Sequence, residues 1–269
     1  MNVYGSSIVQ LLQDEIHGAR LVSGSGALAR LRATLTAHEA SCVRAACLQA
    51  ECAFRAGARA LRAGLRETEV AAAFQERLSD TEGRAGGFAY CMSGPNAAEA
   101  CAAYQRSRSR QLMPGDFALV HCNSYIDGFW TDITRTFSIG EPDARKCGMY
   151  AAVLEASRAA IDAVRPGVKA AEVDRAAREV LQRRGFGKEF KHATGHGVGF
   201  AAINHLAQPC IHPVSDDVLE PGMTFNIEPA IYCDGYGGLR HCDVVTVTSG
   251  GVEVLTPFQA GVSELTIGK

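Results

Sequence analysis

The sequence carries no run of basic residues: 27 Lys and Arg stand against 29 Asp and Glu, for a formal net charge of −2 at pH 7. A patch that could neutralise a row of phosphates, on nucleic acid or on an anionic membrane, is therefore not encoded. No apolar stretch approaches the ~20 residues that a membrane-spanning helix needs. Residues 1–30 mix Gln13, Asp14, Glu15, His17 and Arg20 into their apolar positions, which does not match a signal peptide. None of the ten cysteines forms a Cys-Xaa2-Cys pair, so a closed structural zinc site is not expected. Scattered through a mid-sized chain, they read as reduced thiols of a cytoplasmic protein without disulfides. Cys42, Cys47 and Cys52 fall in an alanine-rich stretch and are expected to be small core residues.

What is present is enough for a full core. At 269 residues and 47% hydrophobic content, the chain can fold as one large domain or two small ones. Residues 1–35 have weak helical periodicity, interrupted by Ser23-Gly24-Ser25-Gly26. Helices are expected over 36–61, 67–78, 143–164 and 170–184, where Ala, Glu and Arg recur without an internal turn signal. Strands are expected over 86–93, 117–122, 129–139, 223–232, 243–248 and 252–255, between turns such as Gly94-Pro95-Asn96, Pro114-Gly115 and Asp127-Gly128. Residues 60–78 align without gaps to 163–181, with Gly64/Gly167, Glu69/Glu172 and Val70/Val173 among the identities. Two α-α-β halves, with a site at their junction, follow from that repeat.

The chemistry centres on Lys191–Gly199. His192 and His196 stand four apart, and His196 has a glycine on each side, so the backbone can bring its imidazole close to a partner. Polar residues also interrupt apolar strands: His121, Asp132, Glu228, Arg240, His241, Cys242 and Asp243. Carboxylates are rarely buried without a partner, so Asp132, Glu228 and His196 read as one site. The plainer alternative for Asp132 is a salt bridge to Arg135.

Six segments together resemble the pita-bread metallopeptidase family of aminopeptidase P, prolidase, methionine aminopeptidase and creatinase. They are SGPNAA (93–98), PGD (114–116), TDITRTF (131–137), GHGVG (195–199), LEPGMTFNIEPAIY (219–232) and GGLRHCDVVTVT (237–248). The resemblance implies an α+β pita-bread fold, two pseudo-symmetric α-α-β-β halves around a curved antiparallel sheet. It places the catalytic domain at 36–269, with 1–35 as an N-terminal helical extension. A homodimer, a short peptide or small-molecule substrate, and hydrolysis of a C–N bond are also implied.

The family's ligand pattern is Asp, Asp, His, Glu, Glu around two divalent ions. By position Asp132, His196 and Glu228 match it, while His121 stands for the first aspartate and Cys242 for the last glutamate. A further family histidine falls on Cys101, and His205 stands near the place of another; both are expected to face substrate. His192, His196, Glu228 and Arg240 are expected to be catalytic, with Arg240 also holding a substrate anion. With two carboxylates instead of four, a second ion would leave positive charge uncompensated in a low-dielectric site. One divalent transition metal is expected, zinc or iron ahead of manganese or cobalt, or none. A lyase or mononuclear iron enzyme, a metal-free creatinase-like hydrolase, and a non-catalytic pseudo-peptidase remain as alternatives.

Overall fold

A computed structural model of the protein describes residues 6–18, 20–78, 84–101, 106–200, 204 and 207–268. Two short helices, α1 (Ser6–Glu15) and α2 (Ser25–Ala33), precede the long helix α3 (Ala37–Ala58). α3 starts at a capping box. Thr36 Oγ1 accepts from the Glu39 amide, and Glu39 accepts from the Thr36 amide at 2.7 Å. Its buried stripe, Val43, Ala46, Cys47, Ala50, Ala53, Phe54 and Gly57, has helical spacing. Cys42 and Cys47 are buried as expected. Cys52 is exposed, because it lies off that stripe.

α4 (Glu67–Gln75) leads into strand β1 (Ala85–Ser93), and β2 (Phe117–Ile126), β3 (Phe129–Trp130) and β4 (Ile133–Ile139) complete the first half. The second half repeats the plan with α5 (Ala144–Ala163), α6 (Ala170–Arg183) and strands β5 (Thr224–Ile227), β6 (Ala230–Cys233), β7 (Gly237–Arg240), β8 (Asp243–Thr248) and β9 (Gly251–Val254); β10 (Thr266–Ile267) closes the chain. The internal repeat is real in three dimensions. Gly64 has φ +88° and Gly167 φ +84°. The Gly64 amide donates to Leu112 O at 2.8 Å, and the Gly167 amide to Leu219 O at 2.8 Å. One turn further, the amides of Glu67 and Ala170 bond Arg110 O and Asp217 O in the same way.

The strands pair as β1-β2-β4-β10 with β3 on β2, as β5-β8-β9, and as the hairpin β6-β7. All pairs are antiparallel except β10 on β4, which is parallel. The single curved sheet expected from sequence is thus divided into three ladders, linked by bridges such as Thr134 to Cys242. Its breaks fall at the polar residues of interest. The strand expected over 129–139 is interrupted at Thr131-Asp132, and the one over 223–232 at Glu228-Pro229. Proline cannot donate to a ladder, and it ends β5 where Glu228 begins. Helices α3 to α6 cover the outer faces, with Phe54, Phe74, Phe137, Val153, Val173 and Phe225 in the core.

Candidate metal and catalytic site

The His196 loop is held against β5 by backbone pairing. The Asn226 amide donates to His196 O at 3.0 Å, and the Glu228 amide to Thr194 O at 2.7 Å. Asn226 Oδ1 accepts from the His196 amide at 2.6 Å. Side chains would prevent this approach: a Cβ on Gly195 would lie 1.8 Å from Asn226 O, and one on Gly197 2.1 Å from Gln208 O. From α6, buried Asp174 anchors the other end of the loop, accepting from the Thr194 amide at 3.1 Å and its hydroxyl at 2.8 Å. Arg178 pairs with Asp174 and donates to His192 O.

Three side chains converge in the buried space between the halves. His196 Nδ1 sits 3.1 Å from Gly197 O, so as a donor there it leaves Nε2 facing inward. Nε2 lies 3.6 Å from Asp132 Oδ2 and 3.9 Å from Glu228 Oε1. Asp132, Glu228 and Cys242 offer ligand atoms that all fall within 4.8 Å of one another. Burial opposes protonation of His196, but the hydrogen bond and charge of Asp132, with the charge of Glu228, lift its pKa to about 9. Burial likewise works against an ionised Asp132, yet His121, His196 and Arg240 hold its carboxyl well below the usual range. Burial and the charge of Asp132 raise Glu228 above the ordinary glutamate value. Such a mutual field is what a cation between these groups would relieve.

The two substituted positions behave differently. Cys242 donates its thiol to the Asp132 backbone carbonyl at 3.0 Å. Burial and the charges of Asp132 and Glu228 push that thiol well above its ordinary pKa. His121 uses Nδ1 as an acceptor, 3.1 Å from Arg240 Nη2, with Thr134 Oγ1 3.0 Å away. Burial, reinforced by the charge of Arg240, pushes His121 down to about 4 despite Asp132. A neutral imidazole bonded to a guanidinium is not offering that nitrogen to a metal, so the ligand assignment made for His121 from sequence lacks a free lone pair at Nδ1.

Arg240 is the hub of this wall. Its Nε donates to Thr134 Oγ1 at 3.0 Å, Nη1 to Ala100 O at 3.3 Å and the Tyr232 hydroxyl at 3.4 Å, and Nη2 to the Tyr90 hydroxyl at 2.8 Å and to His121. A guanidinium has five N–H donors, and these partners use all of them. The expected role as a receptor for a substrate anion is therefore not open to it. His192 lies half-buried, with Nδ1 2.7 Å from Ala193 O and Nε2 3.0 Å from the Tyr232 hydroxyl, which links it to Arg240. Cys101 is half-buried beside the 3-10 turn Gly94–Glu99, its thiol directed to Ala98 O. His205 lies outside the described residues.

Arg135 does not pair with Asp132. It is fully buried and bonds Asp243 at 2.6 Å, while Thr256 and His241 also hold that carboxylate. Tyr90, Tyr232, Asn226 and Asp174 escaped the sequence reading. Only Asn226 and Tyr232 carried a signal, since both lie in the segment that contains Glu228.

The model of metallopeptidase family M24 matches residues 41–249. An Xaa-Pro dipeptidase of Pyrococcus furiosus is 32% identical over 227 residues, covering 84% of this chain and 64% of that protein. A Mycobacterium tuberculosis protein named "Probable dipeptidase PepE" is 41% identical over 189 residues, 70% of this chain and 49% of the relative. The chain thus spans about half to two thirds of the length of these curated relatives. Among solved structures, dipeptidase PepE from Mycobacterium ulcerans superposes with a TM-score of 0.90 at 33% identity, covering 99% of this chain and 70% of that one. Prolidase from Pyrococcus furiosus gives a TM-score of 0.88 at 30% identity, covering 96% and 75%.

Proposed function

Because the chain belongs to metallopeptidase family M24 and shares the fold of prolidases, we propose that it hydrolyses a C–N bond of a small peptide or amide at a modified site that holds one metal ion. The observation that carries this reading is the convergence of Asp132, Glu228 and Cys242, with His196 beside both carboxylates, while His121 is bonded to Arg240. One imidazole and two carboxylates suit a single divalent transition metal, zinc or iron ahead of manganese or cobalt. With Arg240 cationic at 3.8 Å from Glu228, a second ion would find no carboxylate left to offset it. The catalytic domain would span 36–269, with 1–35 as an extension, in a protein that works as a cytoplasmic homodimer.

When bound, such an ion polarises a water or a carbonyl. The chain's own residues supply the remainder. Asp132 and His196 hold the donor geometry, fixed from behind by Gly197 O and Asn226. Glu228 takes a proton from the attacking water and returns it to the leaving nitrogen. Arg240 holds the wall through Tyr90, Tyr232 and His121, and excludes water from it. His192 reaches the site through Tyr232.

A panel of Xaa-Pro dipeptides and Xaa-Pro-Xaa tripeptides, assayed with zinc, iron, manganese and cobalt, tests this. The expected turnover is below the ~10 s⁻¹ typical of enzymes, and is abolished in His196→Ala, Asp132→Ala and Glu228→Ala but not in His17→Ala. Activity that survives all three substitutions would place the chemistry elsewhere. A second reading has its own support: Cys242 bonds the Asp132 carbonyl and Arg240 is saturated, so these two groups are satisfied without an ion. A metal-free hydrolase or an inert binding cleft would then show the same activity, or none, in the presence of chelator.

A further inference from the structure

The face of β1 and β2 that carries His121 holds more than the site. Ser124 on β2 bonds Ala46 O of α3 at 2.7 Å, so the even-numbered residues of that strand face the helices. His121 and Tyr125 therefore face the cleft, because side chains alternate along a strand. The pairing register puts Tyr90 beside His121, Phe88 beside Asn123, Gly86 beside Tyr125, and Trp130 beside Tyr125. The result is one aromatic row. Tyr90 stacks on the His121 imidazole at 4.7 Å between centroids and 24° between planes. Phe88 is 6.2 Å from the His121 ring and 6.4 Å from Trp130, and Trp130 is 4.5 Å from Tyr125.

Burial falls along the row. Tyr90 and His121 are buried, whereas Phe88, Tyr125 and Trp130 are half-buried. Tyr125 and Trp130 pack on each other and neither joins the hydrophobic core. The backbone makes room for them: a Cβ on Gly86 would sit 2.5 Å from the Tyr125 hydroxyl and 2.7 Å from Cζ of its ring. The Trp130 amide also donates to Gly199 O at 2.7 Å, which ties the row to the loop that carries His196. No aromatic of the row is charged, and Arg240, the nearby cation, has no donor left. Recognition along this wall therefore depends on apolar area and ring stacking rather than on a salt bridge.

We propose that Tyr90, Phe88, Trp130 and Tyr125 form a subsite for a flat apolar side chain, so that the substrate is a small peptide or amide carrying an aromatic residue. The subsite runs from half-buried Tyr125 and Trp130 to buried His121 and rests on the hydrolase reading of the same cleft.

The test is equilibrium binding without turnover. L-Phenylalaninamide and glycinamide are titrated into the protein in the presence of chelator, and the emission of Trp130, the one tryptophan in the sequence, is followed. Phenylalaninamide is expected to give a saturable change and to bind about tenfold or more tightly than glycinamide, the factor a buried, stacked ring supplies. Tyr125→Ala and Phe88→Ala are expected to cut that preference to about threefold or less. Tyr125 stands outside the core, so its variant carries the test even where Phe88→Ala fails to fold. Equal binding of the two amides, or an undiminished preference in Tyr125→Ala, overturns the subsite. A selective protein that hydrolyses nothing supports the subsite and removes only the hydrolase reading.

Discussion

Gly195→Ala addresses directly how the His196 loop is built. The new Cβ would stand 1.8 Å from Asn226 O and 2.8 Å from its carbonyl carbon. Carbon atoms pack comfortably at ~3.5–4.0 Å, so loop and strand must separate by on the order of 1 Å or more. That separation breaks the three hydrogen bonds between Thr194–His196 and Asn226–Glu228. Each is worth ~1 kcal/mol net, and the residual overpacking adds ~1–3 kcal/mol. The expected loss of stability is about 4–6 kcal/mol in urea unfolding. Since His196 moves away from Asp132 and Glu228, zinc affinity measured by competition with a chelating dye should fall about 10–100-fold. Gly148 is the control. It lies exposed in α5, and a Cβ there would meet nothing within 4 Å, so Gly148→Ala should stabilise by about 0.5–1 kcal/mol. A Gly195→Ala protein within ~1 kcal/mol of the parent and with unchanged zinc affinity would refute the account of this loop.

Two further outcomes follow from the buried charges. Arg135→Leu should cost about 3–5 kcal/mol, because it leaves Asp243 charged and buried without its main partner. Burial opposes ionisation of Asp243, but Arg135 and His241 hold its carboxyl well below the usual range. Its stabilising contribution is therefore complete above the unfolded-state value of ~3.9 and is lost as pH falls toward the depressed folded value. Urea unfolding at stepped pH should show this acid limb in the parent and a shallower one in Arg135→Leu; equal slopes would contradict it. Elemental analysis should find one metal ion per chain in the parent and two in the His121→Asp, Cys242→Glu double variant, which restores two carboxylates. Two equivalents of manganese bound by the parent would remove the charge argument.

The helices and the repeat could be read from sequence because their causes are local. The helix expected over 36–61 and the glycines at 64 and 167 depend on features that act within a few residues, and the structure shows α3 at Ala37–Ala58, opened by the Thr36–Glu39 capping box, and positive φ at both glycines. The same holds for the glycines around His196, whose spacing alone indicated a close backbone approach. Asp132 and Glu228 were legible as site residues because charge in an apolar segment is unusual. Their placement at breaks between strands was not, since apolar pattern continues across Thr131 and Pro229.

What the sequence could not determine was the state of each donor atom. Arg240 meets Tyr90, Ala100, His121, Thr134 and Tyr232, which come from distant parts of the chain. Only their assembly decides that no N–H remains for a substrate. Position alone made Cys242 a candidate metal ligand; the fold brings its sulfur within reach of Asp132 and Glu228, and the bridge from β4 to residue 242 also turns the thiol toward the Asp132 carbonyl. Residue type and order determined the family, the two halves and the carboxylate–imidazole core. Tertiary structure alone decided which of those groups are free to act, because hydrogen-bond saturation depends on neighbours that no local pattern specifies.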